Sequence, residues 1–358
     1  MKTKKTSELA VKIGENGLNY AVVTKQSHIL YLTGMKIHPG DRLFAAVIDE
    51  LGNITFVCNR MLPMPEAAMD SSVWYHDCDD GMLAVSGLIC RNAAVGLDYD
   101  WQYGYTDRLA SLRPDLHFGN GSVLVEEMRM VKCDDELSLL RKSSEINDQC
   151  MSELVKSISE ARSEQELALH LNEYHRSLGI EDGGGGAIIS FGTNAVDPHH
   201  APDDTRLRHG DNIVMDFGFG YHGYLSDMTR TVFYREVSQE LEKIYNTVLA
   251  AQAAALAAIK PGIEIHLVDS AARALIRDAG YGAFFPHRTG HGIGLDVHEP
   301  PFVSGSEHIM LRPGMVFSVE PGIYVPEIGG VRIEDLIIVT ERGYENINCY
   351  SKALKIVG

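Results

Sequence analysis

Four acidic residues stand where this chain's strands ought to be most deeply buried. Asp216 closes the run Ile213-Val214-Met215, and Asp227 opens Met228-Thr229-Arg230-Thr231-Val232. Glu320 follows Met315-Val316-Phe317-Ser318-Val319, and Glu334 interrupts Val331-Arg332-Ile333 and Leu336-Ile337-Ile338. A carboxylate carried into an apolar sheet costs several kcal/mol unless a cation or hydrogen-bond donors meet it. Any fold this sequence adopts must therefore bring positive charge to these positions. His291, flanked by Gly290 and Gly292, adds an imidazole. Four carboxylates and one imidazole form a donor set that suits two hard divalent cations sharing a water, which is hydrolase chemistry.

Two strand pairs would carry the acids. Residues 211–234 read as a β-hairpin with Val214, Asp216 and Gly218 on one face, and the glycines at 218, 220 and 223 mark the reversal. A turn centred on Tyr221-His222 sets Asp216 directly opposite Asp227, where two carboxylates repel unless a cation separates them. The plainer reading makes one Asp a turn residue and the other an exposed strand acid. Residues 315–320 and 331–340 form the second pair, with Arg332, Glu334 and Leu336 on one face of a single strand. Here the plainer reading is a salt bridge buried in the sheet. His287, His291 and His298 lie within twelve residues, and glycines around His291 allow close backbone approach. His199-His200 follows Pro198 in a polar loop, either exposed or turned into a site.

Length and charge narrow the rest. The 358 residues suffice for two domains, and a formal charge of −17, from 49 acidic and 32 basic residues, disfavours nucleic acid and anionic membranes as partners. Six scattered cysteines without a CxxC pair exclude a disulfide frame or a zinc clasp. The lysine-rich start has no apolar stretch behind it, and the apolar run 248–259 is too short to span a bilayer, so a cytoplasmic location is expected by elimination. Strands interleaved with helices before residue 125 suggest a small α/β domain, 1–125, ahead of a larger domain, 126–358. That second domain opens with a long helix near Cys133, capped by Asp134. Another helix starts at the Ser163/Glu166 capping box and ends at Gly179. The four glycines 183–186 predict a mobile or tightly turning loop; no lysine and helix follow them, so a phosphate cradle is disfavoured. Two blocks of similar design follow, each a long helix and then paired strands bearing acids.

The segments MDFGFGYHGYLSDMTRTV, HRTGHGIGLDVHEPP, SVEPGIY and GGVRIED resemble those of the metallopeptidases with the pita-bread fold, and within them the Xaa-Pro peptidases, aminopeptidase P and prolidase. Steps of 11, 64, 29 and 14 residues separate the five donors in the order that group shows. The resemblance is strong from about residue 130 onward; residues before 125 resemble a creatinase-type N-terminal domain. It implies an α+β architecture: a pita-bread catalytic domain with pseudo-twofold α/β halves behind that smaller domain. It also implies residue roles. Asp216 chelates one metal, Asp227 and Glu334 bridge two, and His291 and Glu320 complete the second. His199, His298 and Glu320 serve the reaction, while His287, Tyr324 and Arg332 support the substrate side of the pocket. The expected cofactor is a pair of divalent ions, Mn²⁺ first, with Co²⁺, Zn²⁺ or Fe²⁺ as substitutes. The expected substrate is a peptide with proline at its second position, and the expected assembly is a homodimer. Creatinase lacks this donor set, and methionine aminopeptidase lacks so large a first domain. Dipeptidases of the group carry a basic residue just after His-Glu-Pro, where this chain has Pro301-Phe302, so dipeptidase and aminopeptidase both stay open. Two other classes remain: a metal-dependent hydrolase or lyase of a small non-peptide molecule, and a binding homologue without turnover.

Overall fold

Alternation along single strands decides what each sheet face covers. In the strand Phe44–Asp49, Phe44, Ala46 and Ile48 enter one apolar cluster, while Ala45 and Val47 enter another. A strand buried on both faces needs helices on both sides, which explains its near-continuous hydrophobicity. The computed structural model describes residues 2–180 and 186–358. It divides into two compact units, Met1–Arg129 and Met130–Gly358.

The first unit is built on six strands: β1 (Tyr20–Val23), β2 (Phe44–Asp49), β3 (Ile54–Asn59), β4 (Ser72–Tyr75), β5 (Ala94–Leu97) and β6 (His117–Asn120), in the spatial order β4-β3-β2-β1-β5-β6. The central pairs β1–β2 and β2–β3 are antiparallel, and the outer pairs are parallel.

The second unit repeats one plan twice. Its first half holds β7 (Ile188–Phe191), β8 (Asn212–Phe217), the short pair β9 (Gly220–Tyr221) and β10 (Tyr224–Leu225), and β11 (Met228–Tyr234). Ile213, Met215 and Phe217 of β8 pack with Leu154 and Leu171 of the helices Asp134–Lys156 and Glu164–Ser177. Asp216 is thereby left on the opposite, open face. Its second half holds β12 (Gly290–Gly292), β13 (Glu299–Val303), β14 (Val316–Val319), β15 (Gly322–Val325), β16 (Gly329–Arg332), β17 (Asp335–Thr340) and β18 (Gly343–Asn346). Phe317, Val319, Ile337 and Val339 pack under the helices Gln239–Ala258 and His266–Asp278. Five strands run β13-β12-β14-β17-β18, and β19 (Ile356–Val357) joins the first half as β19-β11-β8-β7. In each half a helix pair covers one sheet face, and the acids emerge on the other.

Three local expectations need correction. The hairpin turn centres on His222-Gly223, both in the left-handed region at φ 50° and 85°, as a two-residue hairpin turn demands. Asp216 therefore faces Thr229, and Asp227 lies two residues earlier. A shift of two keeps the same face, so both acids still point together. Residues 331–340 are not one strand. The chain leaves β16, paired with β15, and enters β17, paired with β14, and Glu334 lies at the break. Its N–H donates to the Thr229 carbonyl at 3.1 Å. Finally, Cys133 rather than Asp134 caps the long helix, its N–H donating to the Glu136 carboxylate at 2.9 Å. The Ser163/Glu166 capping box forms as the spacing suggests. Glycines 183–185, expected in a turning loop, lie outside the described residues. All six cysteines are free.

Candidate metal centre

One cavity of about 670 Å³ is lined by Asp216, Asp227, His291, Glu320 and Glu334 together, and by His199, His287, His298 and Arg332 as well. The strand ends deliver them. Asp216 sits near the end of β8, Asp227 just before β11, His291 in the middle of β12, Glu320 just after β14, and Glu334 between β16 and β17. Close backbone approach makes this possible. A side chain at Gly218 would meet the Ser226 carbonyl at 1.8 Å, and one at Gly290 would meet that of Ser318 at 1.9 Å. Only glycine lets β12 lie against β14 with His291 aimed inward.

The ring of His291 is oriented by its own strand. Nδ1 lies 3.1 Å from the Gly292 carbonyl, which can only accept, so the proton resides on Nδ1 and the Nε2 lone pair faces the cavity. Burial pulls this imidazole down to about 4, so it is neutral near pH 7. Yet Nε2 points at acceptors, with Glu320 Oε1 at 3.3 Å and Asp227 Oδ2 at 3.9 Å. Donor atoms of Asp227, His291 and Glu334 lie within 4.8 Å of one another. Glu334 offers Oε2 to the Thr229 hydroxyl, which donates at 2.7 Å, but its buried Oε1 has no hydrogen-bond partner among the described residues. Desolvation, reinforced by the neighbouring carboxylates, pushes Asp227 and Glu334 well above the usual carboxylate range. Desolvation also raises Glu320, against the pull of His287 and Arg332. Lone pairs facing carboxylates around an unsatisfied buried oxygen call for positive charge, so the donor set fits divalent metal.

Behind this ring runs a polar chain. The His287 Nδ1–H donates to the Arg288 carbonyl at 2.8 Å, so Nε2 accepts from the Tyr324 hydroxyl at 2.9 Å. Tyr324 in turn accepts from Arg332 Nη1 at 2.7 Å. The guanidinium also donates to the Thr229 hydroxyl at 3.1 Å, to the Pro198 carbonyl at 3.3 Å and, through Nη2, to Asp216. His298 stacks edge-on to His291, with ring centroids 4.2 Å apart. His199 is held in its exposed loop by a backbone N–H bond to Asp197 at 2.9 Å. Its neighbour His200 turns away, to the buried Glu164 carboxylate at 2.8 Å, which also accepts from the Phe191 and Asp203 N–H groups.

Sequence reasoning missed the hydroxyls. Thr229 and Thr231 alternate after Asp227, and Thr231 donates to the Arg332 carbonyl at 2.9 Å. Ser318, two residues before Glu320, donates to its carboxylate at 3.1 Å and accepts from the His291 N–H at 3.0 Å. A period-two walk from each acid into its strand would have found all three.

Comparison with known proteins supplies the family. Residues 138–341 match the model of metallopeptidase family M24, and residues 5–131 match the creatinase/prolidase N-terminal domain. This chain belongs to family M24. An uncharacterized peptidase of Staphylococcus aureus (strain MRSA252) is 35% identical across 97% of the chain and 99% of its own length. Among solved structures, the prolidase from Thermococcus sibiricus superposes with a TM-score of 0.93 at 30% identity, covering 99% of this chain and 98% of that one. A Xaa-Pro dipeptidase from Bacillus anthracis (TM-score 0.88, 30% identity, 99% of each chain) and an X-Pro aminopeptidase from Thermotoga maritima (0.85, 29%, all of each chain) are similar as well. The fold is thus the creatinase-type domain followed by the pita-bread domain, and this M24 chain is a metallo-exopeptidase.

Proposed function

We propose that this M24 chain hydrolyses the bond between an N-terminal residue and a following proline, using two divalent cations held by Asp216, Asp227, His291, Glu320 and Glu334. One observation carries the reading: four carboxylates and a neutral imidazole share one cavity, and Arg332, paired with Asp216, is the one arginine ion-paired to them among the described residues. Asp227, Glu320 and Glu334 have no arginine or lysine ion-pair partner among the described residues, and three ionised carboxylates are more than one divalent ion neutralises. Mixed carboxylate and imidazole donors favour manganese among the candidate ions. A homodimer in the cytoplasm completes the proposal.

Bound cations would supply an acidified water at neutral pH and polarise the scissile carbonyl. The chain's own groups do the rest. Glu320, steadied by Ser318, takes the proton of the attacking water and passes it to the proline nitrogen as it leaves. His298 and His199 line the cavity and donate to the oxygen on which negative charge develops. Burial lowers the pKa of His298, so it donates as a neutral ring. Arg332 holds Asp216, and Tyr324 and His287 fix Arg332.

Arg288 favours the dipeptidase form. It lines the same cavity, its guanidinium lies 4.2 Å from the Phe302 ring centroid, and it has no carboxylate partner among the described residues. A flat guanidinium with one face on an aromatic ring keeps its N–H edge open for a carboxylate. The free carboxylate of a departing proline would suit it, so the basic group absent after His-Glu-Pro enters from the neighbouring segment. A manganese-supplemented assay comparing a Xaa-Pro dipeptide, its C-terminal amide, a Xaa-Pro tripeptide and small amides tests the whole reading. Dipeptide turnover should lead, and the amide should lose roughly tenfold or more in kcat/KM. Turnover of none of the proline peptides would remove the assignment.

A further inference from the structure

A second cluster of metal-binding side chains lies outside this cavity, where the turn before the helix His266–Asp278 meets the loop after β13. Glu264 comes from the turn, His266 opens the helix, and His308 comes from the loop. Both imidazoles converge on the same carboxylate oxygen: His266 Nε2 and His308 Nδ1 each lie 2.8 Å from Glu264 Oε2. The two rings are 4.9 Å apart and tilted by 58°.

The backbone that presents them is fixed. The Gly262 N–H donates to the Leu311 carbonyl at 2.8 Å, the Leu311 N–H returns to Ile263 at 2.8 Å, and the Ile265 N–H donates to Ile309 at 2.9 Å. Glu264 and Met310 form a β-bridge within this ladder, and Ile265 and Leu311 anchor it in the core. Three donors from two crossing segments are thus held on one side of a short antiparallel pair.

We propose that Glu264, His266 and His308 bind one divalent transition ion of the zinc class, separate from the catalytic pair. The chemistry follows from the donor types. Two imidazole nitrogens and one carboxylate oxygen favour zinc, copper, nickel or cobalt over magnesium, calcium or manganese. Bonds of about 2.0–2.1 Å in a tetrahedral shell place donors about 3.3 Å apart, so each imidazole need retreat only about half an ångström from Glu264. His308 is largely exposed and free to do so. On binding, the ring protons sit on His266 Nδ1 and His308 Nε2, and water fills the remaining coordination. Glu307, whose carboxylate accepts the His308 N–H at 3.2 Å, adds negative charge beside the site.

The ion would pin the loop after β13 to the start of a helix that serves the catalytic cavity. That helix's Asp269 accepts from the Thr289 hydroxyl at 2.7 Å, and its Arg273 donates to the His287 carbonyl. Occupancy should therefore stiffen the segment that carries His287 and His291.

Zinc content after equilibrium dialysis in micromolar free Zn²⁺ decides the matter, and it does so whether or not the chain cleaves Xaa-Pro bonds. The wild type should retain one zinc more than the His266→Ala/His308→Ala double variant. An Asp227→Asn/Glu334→Gln protein, impaired at the catalytic cavity, should keep the outer ion. Glu264→Gln retains a hydrogen-bond acceptor for the imidazoles and should still weaken this site by more than the roughly 10–100-fold typical of losing an outer-shell partner. Equal zinc in wild type and the folded double variant overturns the proposal. So does undiminished affinity in Glu264→Gln, should the double variant not fold.

Discussion

Glu334 Oε1, buried and without a donor among the described residues, is the atom that most plainly needs a cation. In the proposed reading its side chain and Asp227 would help hold the cations, and Glu320 would move the proton. Neutral amides at these positions keep shape while removing charge and basicity. Glu320→Gln should lower kcat for Xaa-Pro hydrolysis by roughly 10²–10⁴-fold, the range for losing a general acid–base, with KM much less altered. Asp227→Asn should cost as much and should also weaken metal retention after dialysis. Near wild-type turnover in either purified, metal-supplemented variant would contradict these roles. A control sits close by. Arg288→Met should raise KM for the dipeptide and leave the amide substrate little changed; equal effects on both would show that Arg288 does not read the carboxylate.

At the scale of elements, a fully buried ion pair helps to lock the two halves together. Arg230 of β11 donates to Asp335 of β17 at 2.7 Å, to the Tyr350 carbonyl at 3.1 Å and to the carbonyl of its neighbour Thr229 at 2.9 Å. Asp335 also accepts from Asn346 at 2.8 Å and Gln252 at 3.1 Å. Asp335→Ala would strand a fully buried guanidinium, at a cost of about 3–5 kcal/mol. A urea titration should show the midpoint fall accordingly. A change under about 1 kcal/mol would mean that β11 and β17 are held by something else. The sequence announced these strands through their alternation, and it announced the acids through their misfit with apolar neighbours. It did not reveal the register of the first hairpin, because Tyr221-His222 and His222-Gly223 are both plausible turn centres until positive φ at His222 is seen. Nor did alternation reveal the break at Glu334, since β-branched residues continue across it while the pairing partner changes from β15 to β14. Short strands such as β12 stayed hidden because three residues of Gly-His-Gly carry no period. The Arg332–Tyr324–His287 chain was legible as residues but not as a chain, because its links join positions far apart in sequence.

For the whole molecule, crowded carboxylates make stability depend on metal and pH together. Without metal, Asp227, Glu334 and Glu320 hold protons above their ordinary values, chiefly through desolvation. Carboxyl groups raised in the folded state stabilise it fully below their unfolded values, 3.8 for Asp and 4.5 for Glu, and that contribution fades as pH climbs through the raised folded values. The metal-free protein therefore carries an increasing electrostatic penalty as pH rises from acid towards neutrality. Divalent ions remove that penalty, but at low pH they must first displace the protons. His291, already neutral above about 4, adds little competition over this window. The thermal gain on adding a fixed excess of Mn²⁺ to chelator-stripped protein should thus be larger at pH 8 than at pH 5.5. Differential scanning fluorimetry of stripped and reloaded samples at the two pH values measures it. An equal gain at both would show that the carboxylates are ionised before metal arrives, and a larger gain at pH 5.5 would reverse the sign of the coupling between proton and cation on which the two-metal proposal relies.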